Sequence, residues 1–407
     1  MSPVRCERAA SIVVASIAIA AIAAIATSAS AQTLTGFASL PADTFSPGPT
    51  AGQFITPANG VTPPFQGRQP VQGFSSLLRT ADGGFLAMID NGFGSKANSA
   101  DSLLRVYRLA ADFKTQQGGT GSIVVKSFIS LRDPDSRITF PIVADGQFYP
   151  GSPGNIPVDP SIKRQRLLTG ADLDVESMRQ APDGTLWFGD EFGPFLLHTD
   201  ATGKVLEAPV PLPGVRSPQN PFGGAANLAA SRGFEGMALT RDGRRLYPML
   251  EGPLAGDDPR KLFIYEFDVQ TNRYTDRRWS YRLDVAGHSI GDLTAMTDRR
   301  FLVIERDDNQ GDAAVFKKIF LVDLDHVDAN GFLVKKQAAD LLNLADPDRL
   351  GGTAPVFRFP FQTIEALVVL GPNELVVVND NNYPFSHGRD PSRPDPSEFI
   401  RIRIGNW

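Results

Sequence analysis

The chain has 407 residues, 42% of them hydrophobic and 21% charged, with a formal net charge of −5. That balance excludes a highly charged disordered chain, and the lack of a basic excess argues against a general nucleic-acid binder. The 38 glycines and 32 prolines favour a chain rich in turns over one built from long helices.

The first segment reads as an export signal. Arg5 and Arg8 precede an apolar run at 10–26, and Ala29-Ser30-Ala31 ends it with small residues suited to cleavage before Gln32. Residues 1–31 are therefore expected to be a signal peptide and 32–407 a single domain. The destination is the periplasm or the medium, with no membrane attachment after cleavage. The sole cysteine, Cys6, lies inside the signal. The remaining chain can form neither a disulfide nor a thiolate metal site.

From Phe74 onward one pattern recurs five times. It runs FSSLLRTADGGFLAMIDN from Phe74, VESMRQAPDGTLWFGDE from Val175 and FEGMALTRDGRRLYPMLEG from Phe234. It returns as GDLTAMTDRRFLVIERDDN from Gly291 and IEALVVLGPNELVVVNDNN from Ile364. Each copy has a polar residue among apolar ones, a turn signal, an apolar run, and an acid or amide at the end. Asp-Gly between extended runs marks a hairpin. A second hairpin follows several copies, at 195–208, 261–283 and 318–337. Two hairpins make the four antiparallel strands of one propeller blade.

The repeat starts, Ser75, Glu176, Glu235, Asp292 and Glu365, lie about 101, 59, 57 and 73 residues apart, where a blade needs roughly 40–50 plus loops. The first gap leaves room for an extra blade containing SIVVKSFISL (122–131). The expectation is an all-β, six-bladed β-propeller of four-stranded antiparallel sheets, or seven blades if 33–70 adds one. FIRIRI (399–404) is expected to pair near the N-terminal segment and close the ring, removing exposed sheet edges. Residues 338–350 are read as a short helix. Residues 145–170 and 209–232 are read as long loops on one face.

A propeller brings equivalent positions of successive blades around one axis. Glu176, Glu235, Asp292 and Glu365 are assigned to one such position, with Ser75 at the first copy. Asp90, Asp190, Glu191, Glu251, Glu305 and Asp380 are assigned to a second. Facing carboxylates repel, and a hard cation with oxygen ligands resolves the conflict. None of the four histidines sits in a zinc motif. Ca²⁺ is thus the expected cofactor, with Mg²⁺ or Mn²⁺ as alternatives. The metal ligands expected are Glu176, Glu235, Asp292, Glu365, Asp190, Glu191, Glu251, Glu305 and Asp380. Strand-end acids that cap turns are the bland alternative. Arg306, Arg179 and Arg232 are the candidates for holding an anionic substrate group. No nucleophile elbow, P-loop or dinucleotide fingerprint is present.

The DGTLWFGDEFG stretch, GFEGMALTRDG and IEALVVLGPNELVVVNDNNY resemble the phytase-like domain family, over about residues 70–400. The resemblance implies a secreted bacterial β-propeller that hydrolyses phosphate or other esters. It also implies that Glu176, Glu235, Asp292 and Glu365 face a cation. The expected activity is metal-dependent hydrolysis of a small-molecule phosphoester or related ester by a monomer. Glu176, Glu235 and Glu365 are the candidate catalytic bases. The alternatives are a lactonase of the gluconolactonase type and a non-catalytic binding propeller with structural calcium.

Overall fold

The computed structural model describes residues 1–2, 32–152 and 154–405. The expected signal peptide lies almost entirely outside the described residues.

The Asp-Gly signals do what their chemistry predicts. Gly83, Gly184 and Gly243 take left-handed φ values of 85°, 88° and 70° at the hairpin tips. The preceding aspartates hold the turns. Asp82 accepts from Thr80 Oγ1 (2.5 Å), Asp183 from Thr185 N (3.0 Å), and Asp242 from Arg244 N (3.0 Å). Each hairpin leads outward from an inner strand, and a second hairpin completes a four-stranded sheet.

Five four-stranded units form among the described residues; three are separate sheets, and the first and last are joined through a single parallel pair, Ser39 with Ser122. Their inner strands are Phe74–Arg79, Val175–Gln180, Phe234–Leu239, Ser289–Ala295 and Ala366–Gly371. Each inner strand contacts the next, and the last returns to the first, so the ring closes at five blades. The expectation of six blades, or seven, is corrected by two segments. Ser122–Ser130 is the outermost strand of blade 1, paired along Arg105–Asp112, and starts no blade of its own. The long first gap is instead filled by a loop that packs Ile138, Phe140, Ile142, Tyr149 and Ile162 into the core between blades 1 and 2. It carries a 3-10 turn at Val143–Asp145 and a short α-helix, Pro160–Gln165, capped by Asp159.

Thr33–Leu40 does not add a seventh blade either. It alternates half-buried and buried residues with period two and pairs antiparallel with Ser397–Arg403. It is therefore the outer strand of blade 5, so the two ends of the described fold share one sheet. This is the closure expected of FIRIRI. The 338–350 segment contains the end of a strand, Leu333–Asp340, and a two-residue bridge at Leu344–Ala345, with no helix.

The cores lie between blades, where aromatic and aliphatic residues of adjacent sheets interdigitate. Trp187, Phe188, Phe195, Phe234 and Phe267 are all at most 1% exposed. Each such side chain contributes about 2–3 kcal/mol of burial. The axis itself is polar, because the five inner strands meet there through alternate side chains. Ser76 Oγ accepts from Met178 N (3.1 Å), and Thr294 Oγ1 accepts from Arg179 Nη2 (2.8 Å).

Candidate metal centre at one end of the channel

A shared backbone irregularity positions the site. In four blades the ladder between the first two strands skips one inner-strand residue near its start. The skipped residues are Ser75, Glu176, Glu235 and Gly291. Such bulges re-aim a side chain, and they concentrate beside functional sites. Glu365, whose N–H donates to Val378 O (3.2 Å), holds the same place in blade 5. A second set of equivalent positions, at the end of the neighbouring strand, is Asp90, Glu191, Glu251, Arg306 and Asp380. Asp174 stands two residues ahead of Glu176, and its C=O accepts from Glu191 N (2.9 Å).

Eight carboxyl groups thus gather at one end of the channel: Asp90, Asp174, Glu176, Glu191, Glu235, Glu251, Glu365 and Asp380, all at most 9% exposed. Asp174, Glu176 and Glu191 can each place a carboxylate oxygen within 4.8 Å of the others, and so can Glu191, Glu235 and Glu251. Glu191 and Glu235 each retain one buried carboxylate oxygen with no hydrogen-bond partner. Two guanidinium groups face this acidity. Arg306 Nη2 reaches Glu365 (3.0 Å) and Glu251 (3.5 Å), while its Nη1 pairs with Asp308. Arg232 Nη1 reaches Glu251 (2.7 Å) and Ser289 Oγ (2.6 Å).

Burial and mutual repulsion set the protonation. Burial, and then Asp174, Glu235, Glu365 and Asp90, hold Glu176 well above the usual carboxylate range. Burial followed by Glu365, Glu251 and Glu191 does the same to Glu235. Glu191 and Asp90 are likewise pushed well up, first by burial. Glu365 is raised to about 8 by burial and then Asp380, against the opposing pull of Arg306. Asp380 reaches about 6, chiefly through burial.

Three of the expected ligands do not join the cluster, and the register gives the reason. The bulge places Gly291, not Asp292, opposite Glu176 and Glu235. A Cβ at Gly291 would lie 1.9 Å from Ile364 O, so no acid fits there. Asp292 falls one residue deeper, level with Ser76 and Ser177. There it is saturated by Arg179 (2.9 Å), Thr294 Oγ1 (2.9 Å) and the N–H of Leu367 (3.0 Å). Arg179 is therefore committed to an internal ion pair and does not reach the acidic end. Asp190 is also one residue early. It accepts from Asp174 N (2.8 Å) and Gly193 N (2.7 Å), a structural cap. Glu305 occupies the corresponding place in blade 4 and binds Tyr281 Oη (2.7 Å), Lys335 Nζ (2.6 Å) and Asp284 N (2.7 Å).

Asp174 and Asp308 are the residues missed from the sequence. The D-x-E spacing of Asp174 and Glu176 is the signal that could have found the first. Blade 4 is the exception in both sets, with Gly291 and Arg306 where the others carry Ser or acids. A cavity of about 670 Å³ opens at the other channel mouth and is lined by Leu77, Arg79, Arg179, Thr240, Arg241 and Leu367. It is separated from the acids by most of the length of the inner strands.

No helix among the described residues is long and apolar enough to cross a membrane. Among solved structures, an exo-beta-1,3-galactanase from Phanerochaete chrysosporium is 11% identical over 92% of this chain and 67% of its own, with a TM-score of 0.39. The calcium-binding protein regucalcin from Agrobacterium tumefaciens is 10% identical over 84% and 80%, with a TM-score of 0.34. An uncharacterized secreted protein of Arthroderma benhamiae is 27% identical over 240 residues. The match covers 46% of each chain, so this chain spans about half the length of that curated relative. The family model "Phytase-like: Esterase-like activity of phytase" matches residues 69–383, most of the chain, and the chain belongs to that family.

Proposed function

We propose that this chain is an exported, metal-dependent hydrolase of phosphoesters or related esters. The observation that carries this reading is the burial of eight carboxyl groups against two guanidinium groups at one end of the channel. Like charges buried this closely cost several kcal/mol each unless they are neutralised by protons or by a cation. The residues present fit a hard cation. Every donor is oxygen, two three-acid groups are close enough to share one ion, and Glu191 and Glu235 each hold an orphaned oxygen. Asp174, Glu176, Glu191, Glu235 and Glu251 would hold it, with Ca²⁺ favoured and Mg²⁺ or Mn²⁺ as alternatives. When bound, such an ion polarises an ester or phosphoryl oxygen and makes a water more acidic.

The chain's own groups supply the rest. Glu365, held above the usual carboxylate range in the metal-free chain by burial and then Asp380, is the general-base candidate. Its Oε2 accepts from Ser75 Oγ (3.1 Å) and its Oε1 from Arg306, which fixes the carboxyl in place. Arg306 acts as a positioning group, since Glu251, Glu365 and Asp308 occupy it. Arg232 is the more exposed cation, at 35%, and can turn free N–H groups toward an anionic substrate. Export is supported by the N-terminal sequence and by the similarity to a secreted protein.

The test compares metal-stripped and Ca²⁺-loaded protein on phosphoesters, carboxylic esters and lactones, with Glu235→Gln alongside. The reading expects Ca²⁺-dependent turnover of a phosphoester or carboxylic ester that the variant loses. Turnover of lactones alone would favour the lactonase reading. Ca²⁺-dependent melting with no substrate consumed would favour a binding propeller.

A further inference from the structure

We propose that a second pocket, on the outer side of blade 1, binds a small oxyanion. The pocket is a cavity of about 520 Å³ formed where the outer strands of blade 1 meet the long 131–174 loop. Antiparallel pairing sets Arg105 opposite Ser130. The period of two then puts Phe128, Ser130 and Arg132 on one face.

Arg105 is the unusual group. It is 3% exposed, yet no carboxylate lies within ion-pair distance of it among the described residues. Its partners are neutral. Nη1 donates to Ser46 Oγ (2.7 Å), Nε to Ser130 Oγ (3.2 Å), and the guanidinium lies 4.0 Å over the Phe128 ring. A buried charge is ordinarily matched by an opposite one. Gly48 makes the space, because a Cβ there would stand 2.9 Å from Arg105 Nη2.

The cavity has a second guanidinium, that of Arg132, whose Nη atoms donate only to Thr202 (3.0 and 2.9 Å). The Ser130 hydroxyl, which accepts from Arg105, keeps its own proton to donate, whereas the Ser161 and Thr202 hydroxyls donate to Asp159 (2.6 Å) and Asp200 (2.7 Å) behind the wall; no Asp or Glu lines the cavity itself. In a chain of net charge −5, a partly open pocket lined by two arginines and by no acid is matched to phosphate, sulfate or a carboxylate.

The test uses the whole mature protein in EDTA and low chloride, so that the acidic channel end holds no cation. Inorganic phosphate, sulfate and citrate are titrated separately by calorimetry and by thermal shift. At least one is expected to bind saturably, and its identity separates a phosphate-like from a carboxylate ligand. Arg132→Ala is expected to weaken that binding at least tenfold. Arg105→Gln is expected to abolish it; should that variant fail to fold, Ser130→Ala is expected to weaken binding at least threefold. The inference is overturned if no anion gives saturable heat, or if Arg132→Ala and wild type respond alike. Arg132→Ala is expected to keep any Ca²⁺-dependent turnover, so this result is independent of the hydrolase reading.

Discussion

Glu365 offers a sharp test of how the acidic channel end is held. Its carboxyl is raised from the ordinary 4.5 to about 8, chiefly by burial and then by Asp380. A group with a raised folded pKa contributes stability that is fully present below the unfolded value and lost as pH rises through the folded one. Here the loss runs from about pH 4.5 to about pH 8. That displacement corresponds to about 4–5 kcal/mol. For a fold of this length, with unfolding entropy near 2.1 cal/mol/K per residue, this is about 6 °C in Tm. Metal-free wild type is therefore expected to melt progressively lower between pH 5 and pH 8.5. Glu365→Gln, which cannot ionise, is expected to flatten that slope by about 6 °C over the interval. The assay is differential scanning calorimetry in EDTA at constant ionic strength. Saturating Ca²⁺ should reverse the wild-type trend, because the ion competes with protons for the same oxygens. If metal-free wild type becomes more stable toward pH 8.5, or if the variant keeps the full slope, the account of repelling buried acids is wrong.

Other outcomes follow from the same geometry. Ca²⁺ binding should release protons, detectable as a buffer-dependent calorimetric enthalpy, because burial raises the carboxyls of Glu176, Glu191 and Glu235 well above the usual carboxylate range and the ion binds their charged form. Arg306→Met should cost about 3–5 kcal/mol in EDTA by leaving Glu365 without a cationic partner and Glu251 with Arg232 alone, with part recovered on adding Ca²⁺. Asp292→Asn should cost a similar amount through Arg179 but leave Ca²⁺ affinity within about twofold, and a large affinity loss would return Asp292 to the ligand set. Gly291→Ala should cost about 3 kcal/mol or more in denaturant unfolding, since its Cβ meets Ile364 O.

Much of the fold was legible because it rests on local chemistry. Asp-Gly tips, alternating runs and the five repeated starts announce hairpins of a propeller. The alternation of FIRIRI anticipated its pairing with the N-terminal strand. Blade number was not legible, since a long spacing in sequence does not say whether it holds strands or a packed loop. The 131–174 segment is apolar enough to be either, and only its partners decide.

The candidate site divides in the same way. By itself the sequence determined which residues could converge: acids at the start of four of the five inner strands and at the end of the neighbouring strands. Tertiary structure alone decided which of them meet. A one-residue bulge at Gly291 leaves Asp292 outside the cluster, Asp190 and Glu305 stand one residue ahead of the cluster positions on the neighbouring strands, and Asp174 enters through its backbone pairing with Glu191. Pairing register is a property of two strands at once, and no single segment carries it. For the same reason the sequence marks Arg306 as a candidate for an anionic substrate group and not as a partner of the acids. In the folded ring it is blade 4's counterpart to Glu191 and Glu251, a positive charge set among buried carboxyl groups.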